Sequence, residues 1–403
     1  MSPAKILVLT TTYPTNETDW AGAFIHSLVL AIQKRGFEVE VIAPSNGQSY
    51  GSQFIGGVHV SRFAYFWPRS LERLTRGAGG IPENISKSIL AKFQLAPMMA
   101  IFVLRTLIAV RHFDVIYANW IGAGMVGAIV SRISGKPMVV SFRGDDGYLA
   151  RDNWLWRMLT KWVLRQSSFV TTVSSELLKI MKDLGADPAK LKLPRFGVDT
   201  GIFCPAPRNE DPRGRARVIF VGSLIPKKGV QDLIKAMGDP EFSNTSLTIV
   251  GDGYYADNLK DLAREKLDSR RIIWKGITPP REVARLMRQS DILVLPSYTE
   301  GSPNVVKEAM ASGLPVIGTR VGGVPDLVSD GKTGLLYEPG DIEALRDCLL
   351  KLLKDEDLRV EMGRLSKKKL EQDGLNWDTT AEDFESIFLR VTGQSHRSDK
   401  PID

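Results

Sequence analysis

Two glutamates, Glu300 and Glu308, lie in the segment of this sequence best suited to chemistry, TEGSPNVVKEAMASGLPVIGT at 299–319. Glu300 follows the apolar run DILVLPS, so it stands at the carboxyl end of a predicted buried strand, where ligands bind in parallel sheets. Glu308 lies inside a short helical pattern that begins just after Gly301. The start of such a helix offers unpaired N–H groups and the positive end of the helix dipole, which suit a diphosphate.

A carboxylate on each side of that anion site would accept hydrogen bonds from sugar hydroxyls. Gly301 allows a ligand to approach the backbone closely. The segment therefore predicts a site for a nucleoside diphosphate sugar. Taken singly, each glutamate is also compatible with a solvated carboxylate in a loop or on a helix.

Capping signals define the helix that separates the two glutamates. Ser302 is a good N-cap, Pro303 suits the first helical position, and the helix is expected to fill residues 304–312. Gly313 fits the position after the helix end, and Pro315 prevents its continuation.

The elements around this segment alternate between short apolar strands and helical patterns, which indicates an α/β fold with mainly parallel, doubly covered sheets. The first series of strand-like runs is KILVLTT, EVEVIAP, DVIYAN, PMVVSF and FVTTVS. The second series is RVIFVGS, SLTIVGDG, RIIWKG, DILVLPS and PVIGT. A chain of 403 residues is too long for one ordinary core, so the two series predict two doubly wound, Rossmann-like domains.

Residues 196–216 separate the two series and are rich in proline, glycine and charge, which predicts a linker with a boundary near residue 205. We therefore expect an N-terminal domain at 1–204, a second domain at 205–375, a terminal helix at 376–392 and a polar tail at 393–403.

Composition excludes several classes of protein. The chain is 43% hydrophobic and 25% charged, as in soluble globular proteins. Two cysteines and four scattered histidines support neither a disulfide framework nor a metal cluster. We expect no secretory signal and no membrane span, because the longest apolar run, 95–110, contains Arg105. A cytoplasmic location is the resulting expectation.

The net charge of +7 arises from the N-terminal half of the chain, which alone carries an excess of lysine and arginine. An anionic membrane surface, a phosphate-bearing acceptor, nucleic acid or an uneven solvated surface would each account for it. Two stretches are basic and aromatic, 61–84 and 154–165. The first is either an ordered surface loop or a loop that contacts a membrane or an acceptor, whereas most tryptophans of the second are expected to belong to the core. We expect no nucleic-acid partner, because no nucleic-acid-binding module is recognisable.

Nearly the whole chain resembles the retaining glycosyltransferases of family 4, which have two facing Rossmann-like domains, the GT-B fold. The most specific likeness is P-S-x-x-E-G-x-P-x-x-x-x-E-A-M-A-x-G-x-P-V, which carries the family's E-x7-E as Glu300 and Glu308. The segments TTYPTNETDWAGAF, VGSLIPKKG, VGDG and KGITPPREV resemble further family segments. The region of Trp377 resembles the terminal helix that crosses back to the first domain.

This resemblance implies a role for each matching residue. Glu300 would hold the donor sugar near its anomeric centre, Glu308 would bind the ribose hydroxyls, and Lys228 would neutralise the leaving diphosphate. The implied catalytic residues are Glu300, Lys228, Asp146 and Arg143. The implied substrate- and nucleotide-binding residues are Gly22, Asn119, Gly222, Ser223, Gly251, Gly253, Gly301, Ser302, Pro303, Asn304, Val305 and Glu308.

Three positions depart from the family pattern. Ser223 stands where the family often has an arginine, and Asn119 and Arg143 stand where many members have histidines. Arg143 is a candidate to supply the missing positive charge.

The implied reaction transfers a hexose from a UDP- or GDP-linked donor to a hydroxyl of a glycan, glycolipid or lipid-linked acceptor, with retention of configuration. Its oxocarbenium-like transition state develops negative charge on the leaving diphosphate, where Lys228 and helix N–H groups would stabilise it. No cofactor is expected, and no metal either, because no Asp-x-Asp pair occurs in a metal-binding context. We find no clear protein nucleophile; Asp146 is a candidate to orient the sugar or acceptor, or simply a loop-capping aspartate.

A rival motif is GAGMVG at 122–127, which follows a strand and opens a helix, with Asp145 and Asp146 about 20 residues later. This spacing is that of a dinucleotide site and would indicate an NAD-dependent oxidoreductase. Against it, the motif does not follow the first strand of its domain, and small residues also serve close packing of a helix on a sheet. The same scaffold would also suit a non-catalytic sugar-nucleotide-binding protein or a sugar-nucleotide epimerase.

Overall fold

The computed structural model describes residues 4–16, 19, 22–76, 80–206 and 216–394. The chain separates into two compact units. Unit 1 comprises Met1–Pro194 together with Trp377–Asp403, and unit 2 comprises Arg195–Asn376. Each is an α/β unit built on its own sheet, as the strand and helix patterns predict.

Unit 1 has an eight-stranded sheet and the first seven helices of the chain. Its strands are β1 Lys5–Leu9, β2 Glu38–Pro44, β3 Gly51–Ile55, β4 Val58–Phe63, β5 Val115–Asn119, β6 Met138–Phe142, β7 Phe169–Thr172 and β8 Leu191–Lys192. Its helices are α1 Ala23–Lys34, α2 Gly80–Lys87, α3 Ile89–Ala109, α4 Trp120–Ser134, α5 Asp145–Asp152, α6 Trp154–Gln166 and α7 Ser175–Asp183.

The strand order in unit 1 is β3-β4-β2-β1-β5-β6-β7-β8, and every pair is parallel except β3 with β4. The chain moves outward from β1 through β2, then returns to the other side of β1 at β5, with Leu9 opposite Ala118. The gap between the carboxyl ends of β1 and β5 is therefore the topological switch point, where ligands bind in open parallel sheets.

Unit 2 has a six-stranded, fully parallel sheet. Its strands are β9 Ala216–Val221, β10 Thr245–Val250, β11 Ile272–Trp274, β12 Ile292–Leu295, β13 Val316–Thr319 and β14 Gly334–Tyr337. Its helices are α8 Val230–Ala236, α9 Ala256–Lys266, α10 Pro280–Arg288, α11 Asn304–Ala311, α12 Val324–Leu327, α13 Ile342–Lys354 and α14 Glu356–Gln372. The strand order β11-β10-β9-β12-β13-β14 places the switch point between β9 and β12, with Leu293 opposite Ile219.

The last helix, α15 Trp377–Thr392, returns to unit 1, as the expected crossing helix does. Phe384 and Phe388 of α15 are fully buried and contact the ring of Tyr117 on β5, at 5.3 and 5.8 Å between centroids. The neighbouring residues of β5, Ile116 and Ala118, face α4 instead. Because successive side chains of a strand point to opposite faces, α15 and α4 cover opposite faces of this sheet.

Three helices, α3, α4 and α6, form one layer on the sheet of unit 1, because α3 packs against α4 and α4 packs against α6. Each helix leads into a strand that is parallel to its neighbours, so the three begin near the carboxyl edge of the sheet. We call this set the outer helical layer.

Among the described residues one helix, α3, is longer and more apolar than the sequence run interrupted at Arg105 indicates. With its terminal turn, the helix Ile89–His112 has 24 residues and a mean hydropathy of 1.8, so it is long and apolar enough to cross a membrane by length and composition. Arg105 does not interrupt it, since the charged head of an arginine extends from an exposed face without breaking the backbone hydrogen bonds.

The division between the units lies at Pro194 and Arg195 rather than near residue 205. Val198 pairs with Asn376, and Phe203 is buried in the core of unit 2, so the start of the expected linker belongs to that unit. Residues 207–215 of the linker and 395–403 of the expected polar tail lie outside the described residues.

A turn at Gly229 brings the segment after β9 against the end of β12. Gly229 has φ +69°, and a Cβ atom there would lie 1.8 Å from the carbonyl oxygen of Pro296. The backbone N–H of Tyr298 donates to the carbonyl of Lys227 at 2.8 Å, which fixes the same contact. Only glycine permits this approach, because a side chain would need both a left-handed backbone and the space the carbonyl occupies.

We expect Gly229→Ala to destabilise the protein more than Gly331→Ala does. Gly331 has a similar φ of +73° but no atom within 4 Å of a built Cβ, so it isolates the backbone strain. That strain is about 1–2 kcal/mol, or a melting temperature lower by about 2–8 °C in a unit of this size. Thermal unfolding followed by circular dichroism measures both variants, and equal shifts would refute the steric constraint at Gly229.

Candidate functional site

An ion pair spans the switch point of unit 2. The ammonium of Lys228, in the turn after β9, lies 2.6 Å from Oε1 of Glu300, in the loop after β12. The side chain of Glu300 is only 7% exposed and that of Lys228 only 20%. A cation and a carboxylate thus meet where the topology of the sheet favours a ligand.

The loop that carries Glu300 is held by short hydrogen bonds. The hydroxyl of Ser297 donates to the same Oε1 at 2.7 Å, and the hydroxyl of Thr319 donates to the carbonyl of Ser297 at 2.6 Å. Tyr298 donates its hydroxyl to Asp232 at 2.7 Å, and this bond raises the pKa of the phenol to about 12. Glu300 is therefore fixed by β12, β13 and α8 together.

The loops after β9 and β10 close the same edge. Gly222 and Ser223 follow β9, and Gly251 and Gly253 follow β10. At Gly251 φ is +131°, and a Cβ atom would lie 1.9 Å from the carbonyl oxygen of Gly222, so the two loops touch through their backbones. The structure therefore brings these predicted residues to the carboxyl edge that carries Lys228 and Glu300.

The helix after Glu300 begins one residue later than its capping signals predict. Pro303, not Ser302, occupies the N-cap of α11, and no side chain caps the helix start. Ser302 caps poorly because Pro303 has an extended backbone with ψ 115°, which keeps it outside the helix. At the other end Gly313 adopts φ +75°, and its N–H donates to Met310, as a residue after a helix end does.

The start of α11 is consistent with an anion site. Asn304 is exposed, and Gly301, Ser302 and Val305 are half-buried. The first N–H groups of a helix have no partner within it, and this start receives no side-chain cap. Backbone donors and the positive end of the dipole therefore lie directly after Glu300 in the chain.

Glu308 lies one turn into α11 and is half-buried. Burial raises the pKa of its carboxyl group to about 7, although the nearby charge of Lys307 opposes this rise. Among the described residues, no group donates a hydrogen bond to this carboxylate. A ligand hydroxyl would supply the donor that the protein does not.

Lys307 is a buried cation that the sequence pattern did not single out. It is 1% exposed, and its ammonium donates to the carbonyl of Phe196 at 3.3 Å. The bond ties α11 to the segment that enters unit 2. A helical lysine beside a glutamate is ordinary in sequence, so no local signal reveals this burial.

In unit 1 the predicted residues Asn119 and Arg143 form one polar cluster at the end of β5. Nε of Arg143 donates to Oδ1 of Asn119 at 2.9 Å, and Nη2 donates to the hydroxyl of Tyr117 at 3.0 Å. Tyr117 is in turn bonded to Ser141 at 2.9 Å. Asn119 is fully buried, and its Nδ2 has no hydrogen-bond partner within the part of the chain that the structure describes.

Aromatic rings extend this cluster toward β1. The guanidinium of Arg143 lies over the ring of Phe24 on α1, 4.8 Å from its centroid. Phe24 also contacts Trp120 edge-on at 5.9 Å. Gly22 caps α1 and packs on the backbone of the loop after β1, near Thr12. Gly22, Asn119 and Arg143 therefore gather around the switch point of unit 1.

Asp146 has a buried carboxylate whose hydrogen bonds are made inside the protein. Oδ1 accepts from the N–H groups of Arg143 and Gly144 at 3.1 and 3.0 Å, and Oδ2 accepts from Ile121 at 3.2 Å. Burial raises the pKa of Asp146 to about 6 against these bonds. The geometry is that of a loop-capping carboxylate that positions Arg143.

Two of the glycines of GAGMVG, Gly124 and Gly127, pack a helix on a sheet. They lie within α4, where a Cβ on Gly124 would contact Val140 at 3.1 Å and one on Gly127 would lie 2.6 Å from the sulfur of Met138. Asp146, the acidic partner of that fingerprint, is bonded to the start of the same helix.

Within the described ranges, no group of three or more His, Cys, Asp or Glu side chains is arranged to hold a metal ion. The donors at the two sites include the ammonium of Lys228, the guanidinium of Arg143 and backbone N–H groups. This set suits phosphate and hydroxyl ligands.

Two family models match the chain. "Glycosyl transferases group 1" matches residues 206–369, and "Glycosyl transferase 4-like domain" matches residues 21–193. The D-inositol 3-phosphate glycosyltransferase of Corynebacterium glutamicum (strain R) is 28% identical over 422 residues, covering 95% of this chain and 96% of that protein.

Solved structures agree in fold. The sucrose-phosphate synthase of Thermosynechococcus elongatus superimposes with a TM-score of 0.81 at 19% identity, covering 97% of this chain and 100% of that one. Anabaena HepE in complex with UDP-glucose superimposes with a TM-score of 0.73 at 20% identity, covering 96% and 100%. The two family models, this relative and these folds make the chain a member of the family 4 glycosyltransferases of the GT-B fold.

Proposed function

We propose that this glycosyltransferase transfers a hexose, with retention and without a metal, from a UDP- or GDP-linked donor to a hydroxyl of a glycan, glycolipid or lipid-linked acceptor. The observation that carries the proposal is the Lys228–Glu300 pair across the switch point of unit 2, directly before the uncapped start of α11. Along the chain, Glu300, the backbone donors of α11 and Glu308 follow one another in the order sugar, diphosphate and ribose.

Lys228 and the N–H groups of α11 stabilise the leaving diphosphate in this proposal. Negative charge grows there as the glycosidic bond breaks, and donors that are already in place need no reorganisation. Glu300 binds sugar hydroxyls in this proposal, and its Oε1 accepts hydrogen bonds from the ammonium of Lys228 and the hydroxyl of Ser297. Lys228 thus contacts both the carboxylate that binds the sugar and the leaving diphosphate.

Glu308 binds the ribose in this proposal. Its carboxylate, one turn along α11, lacks a described donor and has a raised pKa, so it gains most from two hydroxyl donors. The complex of HepE with UDP-glucose makes UDP the nucleotide to test first.

Unit 1 carries the residues that bind the acceptor in this proposal. Asn119 offers its unbonded Nδ2 to a substrate hydroxyl, and Arg143 keeps a fixed positive charge beside it. Asp146 acts on this cluster as a positioning residue, through the N–H of Arg143. We include a cytoplasmic, peripheral membrane location in the proposal, because lipid-linked acceptors are presented at a membrane surface.

A panel of UDP, GDP, ADP and NAD tests the nucleotide site by thermal shift. A ligand that binds only the folded state raises the melting temperature. At one hundred times its dissociation constant it adds about 2.7 kcal/mol to the free energy of unfolding. We expect one nucleoside diphosphate to stabilise the protein and Glu308→Ala to abolish the shift. A response to NAD alone that persists in the variant would refute the donor site.

Lys228→Met should lower the rate of transfer by about 10²–10³-fold, the cost of losing one preorganised donor. Lys227→Met is the matched control. It removes the charge of the adjacent lysine, which is not assigned to the diphosphate, so the rate of this variant should remain within about twofold of the wild type. Lys228→Arg, which keeps the charge beside Glu300, tests whether a loss reflects misfolding. The assay is repeated with EDTA, and loss of activity on chelation would contradict the metal-independent reaction.

Nucleotide affinity should fall as the pH drops below about 7. The carboxyl of Glu308 has its pKa raised to about 7 in the free protein, so it is protonated below that pH, whereas ribose hydroxyls bind the ionised form. The fall approaches tenfold per pH unit. The stability of the free protein changes in the opposite sense: the contribution of Glu308 is complete below its ordinary pKa of 4.5 and is lost as the pH rises through about 7.

Calorimetric titration with UDP from about pH 5.5 to 8 measures this dependence. Glu308→Gln is the control, since it keeps the shape and cannot ionise, and titration of the diphosphate itself is common to both proteins. If the two proteins show the same pH profile, Glu308 does not bind the ribose.

A further inference from the structure

The outer helical layer of unit 1 exposes a continuous apolar stripe. On α3, Ile89, Phe93, Leu104 and Ile108 are 75, 71, 57 and 60% exposed. Their spacing in steps near four residues places them on one face, opposite the buried Met98 and its neighbours. At 1.5 Å per residue the stripe is about 28 Å long.

The same layer exposes apolar side chains at the start of α6. Trp154 is 75% exposed and Met158 is 54% exposed, whereas Trp156 and Trp162 pack against the core. The starts of α6 and α3 both lie near the carboxyl edge of the sheet, the edge that carries Asn119 and Arg143. The apolar surface is therefore closest to the substrate cluster at this end.

Every charged side chain in the three helices is basic. They are Lys92 and Arg105 on α3, Arg132 on α4, and Arg157, Lys161 and Arg165 on α6, and all are exposed. The sequences of these helices, which the structure describes completely, contain no aspartate or glutamate. Next to the start of α6, Asp152 of α5 adds an exposed carboxylate that pairs with Arg151. Apolar side chains on helices whose own charges are all cationic are complementary to lipid tails beneath anionic headgroups.

We infer that the outer helical layer is the surface by which unit 1 binds an anionic membrane, with the stripe of α3 lying in the plane of the interface. The inference rests on the proposed membrane location and assigns it to named residues. A second copy of the chain is a poorer partner, because a symmetric contact would bring the six cations against six others.

The helix lies on the membrane rather than across it, because its inner face is bonded into unit 1. Gln94 is fully buried; its Oε1 accepts from the N–H groups of Arg73 and Leu74 at 3.0 and 3.3 Å, and its Nε2 donates to the carbonyl of Leu71 at 2.7 Å. A helix that crossed the bilayer would leave these groups without partners. The membrane thus meets only the face that the fold leaves exposed.

Sedimentation with vesicles tests the surface, using phosphatidylcholine alone and phosphatidylcholine mixed with phosphatidylglycerol. The wild type should bind the anionic vesicles, release in high salt, and bind the neutral vesicles far less. The variant Phe93→Glu with Leu104→Glu should lose binding at least about tenfold, because each side chain contributes the burial of a large apolar group. Replacing Lys92, Arg105 and Lys161 by Gln should weaken binding about fivefold for each cation.

The matched control is Val360→Glu with Ile277→Glu, two comparably exposed apolar residues of unit 2, at 50 and 60%. It adds the same two charges outside the outer helical layer, so its binding should equal that of the wild type. Circular dichroism and thermal unfolding confirm that the variants are folded.

The outcomes separate this inference from the proposed reaction. If the α3 variant binds anionic vesicles as well as the wild type does, the outer helical layer is not the binding surface, but the membrane location stands. If the wild type does not bind them, both the surface and the membrane location are overturned. Resistance to extraction in alkaline carbonate would show a spanning helix instead. A dimer in light scattering that only the α3 variant dissociates would show that a second copy covers the stripe. Nucleotide binding, measured separately, decides the donor site in every case.

Discussion

The contact between the ammonium of Lys228 and the carboxylate of Glu300 is the interaction on which the donor site depends. Both side chains are largely withdrawn from water, so each charge relies on the other and on the hydroxyl of Ser297. The backbone serves this contact: the turn at Gly229 lies against the end of β12, and the strand order places β9 beside it. The close backbone approach of Gly229 to Pro296 therefore places Lys228 and Glu300 together at the carboxyl edge of the sheet.

Unit 1 holds its central cation, Arg143, in a different way. An amide, a phenol and an aromatic ring contact the guanidinium, and the carboxylate of Asp146 accepts a hydrogen bond from the backbone N–H of the same residue. These contacts orient the side chain of Arg143, as the contact with Glu300 orients Lys228 in unit 2. The two residues that depart from the family pattern here, Asn119 and Arg143, bond to each other.

Sequence reasoning predicted most of the strands, both sheets and the family, because parallel strands are continuous apolar runs and the E-x7-E segment is long and specific. It missed β3, β4, β8 and β14. It did not reach features that depend on tertiary contacts. The N-cap moved from Ser302 to Pro303 because Pro303 itself has an extended backbone, and the unit boundary moved because Val198 pairs with Asn376, far along the chain. The bond between Asn119 and Arg143 and the burial of Lys307 join residues that are distant in sequence. Strand order, which creates both switch points, has no local signal at all.

The return of α15 to unit 1 has a consequence for the order of folding. Domains commonly fold as they leave the ribosome, the N-terminal one first. Here the ring of Tyr117 on a central strand acquires its packing partners, Phe384 and Phe388, only after the whole of unit 2 has been synthesised. During translation the part of the sheet around Tyr117 therefore stays uncovered until α15 is made, and the first unit to emerge is the last to be completed.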